Sequence, residues 1–271
     1  MAARWSSVVV LVLCAGCGGG GGGGDAGAPV NPPAPVPAPA QQSAGRMWFA
    51  VANSSNATTL MIAETGDVRV ITAPTGANGP GFGHGAVTVI GNRVEGSFET
   101  RVLGPPTAPG GTEFDCTFSG TVSTRASMQL TTVCVDGAGA STTTSLSYMY
   151  DPHYDADSSL AEIAGNYTLA VNTTTNTLNI NGDGTLFGMY HNGPRCTLNG
   201  TVSIIHSDFN LYRFEVHFSS CTVLASRYEG ATMIGLATRN PPGQKAGAFL
   251  LLLTAVIDGR LEFASVMYEP V

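Results

Sequence analysis

Lysine is nearly missing from this chain. Of its 271 residues only Lys245 is a lysine, and charged side chains of both signs make up 11%. So little positive charge excludes a basic stripe for nucleic acid and a basic patch for an anionic lipid surface. The net charge of −7 reads as a solubility device. Long apolar runs are also missing: Val8–Leu13 and Phe249–Leu253 fall far short of the roughly 20 residues a membrane-spanning helix needs. There is no G-x-S-x-G elbow and no H-E-x-x-H pair, which removes two common hydrolase plans. Nucleophilic catalysis needs a nucleophile, a base and a group that orients the base. The five histidines do not supply one. His84 reads as part of a glycine-rich loop, His217 as the outer face of a strand, and His191 and His206 as hairpin ends, while His153 falls in a connector. No catalytic residue and no cofactor are assigned, and the chain reads as a non-enzyme.

What is present is glycine, 35 residues of it, together with Thr, Ser, Val and Asn in the second half. That is a strand-and-turn composition. The N-terminus reads as an address. Arg4 supplies a positive start, Val8–Leu13 a short apolar stretch, and Ala15-Gly16 lead into Cys17 like the lipobox of a bacterial lipoprotein. Residues 1–16 are expected to be a signal peptide and Cys17 the lipidated residue, a multi-chain membrane anchor. Gly18 rather than Asp after that cysteine favours the outer membrane. Residues 17–45 then read as a tether: an unbroken glycine run to Gly24, followed by a Pro/Ala stretch that prefers polyproline II.

Beyond the tether one motif occurs twice. Cys116-Thr117-Phe118-Ser119-Gly120-Thr121-Val122-Ser123 returns as Cys196-Thr197-Leu198-Asn199-Gly200-Thr201-Val202-Ser203, each followed by a distal cysteine, Cys134 and Cys221. Four cysteines allow three pairings, and the repeat selects Cys116–Cys134 and Cys196–Cys221. None of the four forms a C-x-x-C metal or redox pattern. A hairpin precedes each copy: Val87–Phe98, and Leu178–Met189 with Asn181-Gly182-Asp183-Gly184 at its turn. The glycine of the motif reads as a strand glycine at a bulge or a close approach.

Other strands follow from alternation. Trp48–Ala52 and Thr58–Ala63 flank a polar turn, and Val68–Thr72 comes next. Pro74–Gly85 reads as a loop. Leu211–Phe218 alternates cleanly, with Tyr212, Phe214, Val216 and Phe218 on one face and Arg213, Glu215 and His217 on the other. Tyr228–Ala237, Ala248–Ala255 and Arg260–Met267 complete the set. Phe249–Leu253 does not alternate, so it is expected to be covered on both faces where two halves pack, or to form a partner surface. The first copy is short after Cys134 and has extra strands ahead of its hairpin. Those N-terminal strands are therefore expected to close its sheet.

Residues 151–165 form the connector. Asp151, Asp155, Asp157 and Glu162 fall at ligand positions of a calcium loop, but Ala156 stands where the turn needs glycine. The favoured reading is structural: Ser159 and Glu162 make a capping box for a helix of one or two turns ended by Gly165.

Tyr150-Asp151-x-x-Tyr154-Asp155, then Ser159-Leu160-Ala161-x-Ile163-Ala164-Gly165-x-Tyr167-Thr168, then the G-x-x-x-G hairpin, Cys196-Thr-x-x-Gly-Thr-Val and Cys221 resemble a family of uncharacterised bacterial lipoproteins. The resemblance covers the chain well from Tyr148 onward and weakly before it. It implies no activity. It implies that connector and second half form a unit, with a fold similar to small lipocalin-like or transferrin-binding-protein-like barrels.

The expectation is therefore an all-β, antiparallel protein: pseudo-duplicated barrel or sandwich halves at residues 46–150 and 166–271, joined by one short helix. Its function is expected to be non-catalytic, a lipid-anchored outer-membrane protein that binds a protein or glycan partner, or carries a small apolar ligand, or inhibits a periplasmic hydrolase. A carrier is expected to line its cavity with residues such as Tyr212 and Phe214, a partner binder to use Leu250 and Leu252, and an inhibitor to present Pro74–Gly85 or Gly104–Gly111.

Overall fold

A computed structural model describes residues 44–50, 58–72, 80–103, 111–171, 174–191, 195–222, 227–240 and 246–271. The fold is all-β and antiparallel throughout. The first barrel is β1 (Arg46–Ala50), β2 (Thr58–Ile62), β3 (Asp67–Thr72), β4 (Gly81–Ile90), β5 (Arg93–Leu103), β6 (Gly111–Ser123), β7 (Ser127–Asp136) and β8 (Ser141–Tyr150). Each strand pairs with the next, and β1 closes on β8 through Trp48↔Tyr150, Phe49↔Met149 and Ala50↔Tyr148. The expected closure of the first half by its N-terminal strands is what the structure has.

The second barrel is β9 (Gly165–Val171), β10 (Thr174–Ile180), β11 (Thr185–His191), β12 (Arg195–Ile204), β13 (Tyr212–Ser219), β14 (Thr232–Arg239), β15 (Phe249–Ile257) and β16 (Arg260–Pro270). Its seam is short: β16 meets β9 at Glu269↔Thr168 and Pro270↔Tyr167. The repeated motif is the sixth strand of the first barrel and the fourth of the second. The two halves thus share a motif and a strand count but are two strands out of step.

Several boundaries differ from the sequence reading. Pro74–Gly85 is not all loop, because β4 begins at Gly81. Glycines at 81, 83 and 85 alternate with Phe82 and His84 and so occupy one face of a strand, a pattern that composition alone disguises as a loop. His84 accordingly sits on a strand, directly opposite Arg69 on β3 and Glu99 on β5. Tyr228 belongs to a turn ahead of β14, which starts at Thr232. The motif glycines mark close approach rather than a bulge: the ladder runs unbroken through Gly120↔Leu130 and Gly200↔Val216. A side chain at either would collide with a neighbouring-strand carbonyl, that of Gln129 or of Glu215.

Both expected disulfides are formed. Cys116–Cys134 joins directly opposed residues of β6 and β7, and Cys196–Cys221 ties β12 to the second residue past β13. Each closes a loop worth about 3 kcal/mol in the chain-entropy account.

The connector packs rather than coordinates. Pro152–Asp155 is a 3-10 turn capped by the Asp151 carboxylate, which accepts from His153 N at 3.0 Å and sits 2.8 Å from its Nδ1. Helix α1 (Leu160–Ile163) starts at Ser159, whose Oγ accepts from Glu162 N at 3.2 Å. The Glu162 carboxylate does not complete the box but turns to Arg239 at 3.7 Å. Ile163 is fully buried in the second barrel's core, where its carbonyl accepts from the Tyr167 hydroxyl at 2.8 Å.

The barrels share a packed seam. Met61 and Ala63 of the first meet Leu211, Leu236 and Leu252 of the second, with Tyr154 of the connector between them. This explains the unbroken run in β15. Phe249, Leu251 and Leu253 point into the second barrel, while Leu250 and Leu252 point into the seam. Polar bonds rim the seam: Arg213–Asp67 at 3.0 Å, Arg101–Glu262 at 3.3 Å and Arg69 to the Ile234 carbonyl at 3.3 Å.

Candidate ligand cavity

The two barrels differ in what fills them. The second is plugged by aromatic rings. Phe249 lies 4.7 Å from Tyr167, 5.7 Å from Phe214 and 5.2 Å from Tyr268, ring centre to ring centre. Tyr212 and Phe214 are fully buried in this packing, and a void of only about 40 Å³ remains. The cavity expected at Tyr212 and Phe214 is therefore not there. Those side chains are the filling, since rings from β13, β15 and β16 converge on the barrel axis.

The first barrel is packed at one end and hollow at the other. Its packed end holds Trp48, Ile62, Val94, Val122 and Met128. The chain enters β1 at this end, with Ala44 buried beneath Trp48 and accepting from its indole N–H at 3.0 Å. It leaves β8 for the connector at the same end. Toward the opposite end, where Thr72, Gly81, Gly111 and Ser141 lie, is a cavity of about 240 Å³.

Three features of the sequence make this hollow. First, β4 presents Gly81, Gly83 and Gly85 at its inward positions, so one staff of the barrel contributes no side chains there. A Cβ on Gly83 would sit 2.5 Å from the Glu99 carbonyl, so the neighbouring strand also approaches closely. Second, the inward positions of this half-barrel carry threonine where the second barrel has rings: Thr58, Thr72, Thr100, Thr132, Thr142 and Thr144. Third, the larger inward residues, Leu60, Val70, Phe98, Phe118 and Leu130, line the wall without reaching across.

No charged side chain lines the cavity among the described residues. Tyr148 is the one titratable phenol in it, and burial pushes its pKa up while a hydrogen bond with Thr58 opposes the shift. It is therefore a neutral group at physiological pH. Thr100 donates to the Phe82 carbonyl at 2.9 Å, and Thr72 accepts from Gly81 N at 2.9 Å. Thr132, Thr142 and Thr144 make no side-chain hydrogen bond among the described residues.

The other sequence-derived candidates fall elsewhere. Cys17 lies outside the described residues. Cys134 lines the cavity as half of its disulfide. Asp151, Asp155, Asp157 and Glu162 are not gathered into a metal site: Asp151 caps the 3-10 turn, Asp155 pairs with Arg125 at 3.2 Å and Glu162 faces Arg239. No group of three metal-ligating side chains occurs among the described residues. Leu252 is buried and Leu250 half-buried in the seam, so they form no free partner surface. Of the loops proposed for an inhibitor, residues 73–79 and 104–110 lie outside the described residues.

Sequence reasoning missed the cavity. Its signal was the alternation of glycine in β4 and of threonine in β8, both at the two-residue period of a strand. No protein-family model, curated protein or solved structure matches the chain.

Proposed function

We propose that the protein is an exported, lipid-anchored binding protein of the outer membrane, held through Cys17, whose first barrel takes up a small, largely apolar molecule. The observation that carries the binding reading is the hollow of about 240 Å³ in one barrel beside a plugged second barrel. Sites for small molecules are mostly apolar concavities with a few polar groups, and eight-stranded barrels are wide enough to hold one ligand. The lining offers hydrocarbon and hydroxyls without a general acid or base beside them, which supports binding rather than chemistry. The two disulfides support an oxidising compartment outside the cytoplasm.

Ethylbenzene, titrated into the protein while methyl NMR signals are followed, tests the binding reading. Shifts confined to Leu60, Val68, Val70 and Leu130 are expected, and Val70→Phe, which projects a ring into the hollow, should abolish them with the fold intact. Shifts centred on Leu198 or Leu251 of the second barrel, or none at all, would sink it. Incorporation of labelled palmitate, lost in Cys17→Ser, tests the anchor separately.

A further inference from the structure

The cavity is amphipathic, and its threonine hydroxyls without a protein partner among the described residues are confined to one wall. Thr132 on β7 and Thr144 on β8 are directly paired across the ladder, and Thr142 lies one inward position further along β8, opposite Cys134. Their hydroxyls have no protein partner among the described residues. Each hydroxyl offers one donor and two acceptor positions. The facing walls are mainly hydrocarbon, Val68 and Val70 of β3 and Phe98 and Val102 of β5, beside Thr72 and Thr100. The other threonines of the cavity each have one protein partner: Thr100 donates to the Phe82 carbonyl, Thr72 accepts from Gly81 N and Thr58 bonds with Tyr148.

Resting on the binding reading above, we propose that the ligand is an uncharged molecule with an apolar body and a hydroxyl or carbonyl group, read by Thr132, Thr142 and Thr144. Charge is selected against from both signs. A carboxylate or ammonium in this hollow meets no opposite charge, and burying an unpaired ion is costly. A pure hydrocarbon is accepted but leaves the hydroxyl wall without partners, and such unmet polar groups weaken binding. The size of the hollow limits the body. A dry cavity of about 150 Å³ holds benzene, so one of this size suits roughly ten non-hydrogen atoms.

Four probes sharing one phenyl-ethyl frame separate the possibilities: ethylbenzene, phenylethanol, phenylacetate and phenethylammonium, titrated into the full chain by calorimetry. Phenylethanol is expected to bind about tenfold tighter than ethylbenzene, the worth of one or two well-made neutral hydrogen bonds, with both ions bound far more weakly. The double variant Thr132→Val with Thr144→Val keeps side-chain shape and removes two hydroxyls. It should bring phenylethanol down to the ethylbenzene level and leave ethylbenzene unchanged or improved. Equal binding of alcohol and hydrocarbon, equal binding of either ion, or an alcohol preference that survives in the double variant would overturn the inference while leaving the binding reading in place. Failure of all four probes to bind would overturn both. Unfolding of the double variant, seen as a red shift of Trp48 emission, is met by repeating the alcohol comparison in Thr142→Val alone, where the same loss of preference is expected in part and its full retention counts against the inference.

Discussion

Replacing Leu252 by alanine tests whether the barrels stabilise each other. Leu252 sits on β15 of the second barrel, yet its side chain is 4% exposed because it lies against Met61 and Leu236 in the seam. Leucine-to-alanine changes in packed sites cost about 2–5 kcal/mol, least where the surroundings can close up. A seam between two separate sheets can close up more readily than a barrel interior, so about 2 kcal/mol is expected here. The first barrel has a hollow and the second a ring-packed core, so the first should unfold earlier or together with the second. In either case unfolding of the first barrel breaks the seam. Trp48, fully buried at its packed end, reports that event. In a chain carrying Trp5→Phe it is the sole tryptophan. With a urea dependence of about 2 kcal/mol per molar, the Trp48 transition should fall by about 1 M. Val256→Ala, on the same strand but 60% exposed, is the control and should shift it by less than about 0.5 kcal/mol. A Trp48 midpoint in Leu252→Ala no lower than in this control would refute the shared seam.

Three further outcomes follow from other groups. Loss of the Cys116–Cys134 bridge in a Cys116→Ser, Cys134→Ser double variant should lower stability by about 3 kcal/mol, seen as a drop in thermal midpoint that matches part of the drop caused by reductant in the parent chain. Glu262 receives Arg101 and Arg227 at 3.3 and 3.2 Å and is nearly buried, as is Arg101. Glu262→Ala should therefore cost about 3 kcal/mol in urea unfolding, because it strands the Arg101 cation in the seam. Burial lowers the His84 pKa, with Arg69 adding to the effect and Glu99 and Asp67 opposing it. The unfolded chain then binds the proton more readily than the folded one. Stability is full above the ordinary histidine value of about 6.5 and declines as pH falls below it. His84→Gln should flatten that decline in thermal midpoints measured between neutral and mildly acidic pH, and an unchanged slope would remove His84 as its cause.

Much of the fold was legible because its signals are local. Alternation in Leu211–Phe218 placed the inward and outward side chains of β13 from Tyr212 to Phe218, and the repeated cysteine motif selected both disulfides. The non-alternating Phe249–Leu253 run announced a strand covered on both faces, and the seam is what covers it. What failed to show was the cavity, for a physical reason. A hollow is made by the difference between side chains facing one another across a barrel, and those come from strands distant in sequence. Glycines 81, 83 and 85 read locally as loop residues, and only their pairing with β3 and β5 shows them as a bare staff of the barrel wall. Tyr212 and Phe214 were correctly read as inward, but inward residues of that bulk fill an eight-stranded barrel instead of lining a space within it.

The chain enters the first barrel beneath Trp48 and leaves it from Tyr150 at that same end. Parity makes this unavoidable: an even number of up-and-down strands brings the chain back to the rim where it started. The hydroxyl-walled hollow lies toward the other rim. The point where the described chain enters, at Ala44, and the rim nearest the hollow are on opposite poles of this barrel. Surface-immobilised protein coupled through its N-terminus should therefore take up probe with the same apparent affinity as protein free in solution, whereas coupling through a cysteine placed at Gly139, in the turn between β7 and β8, should impede it.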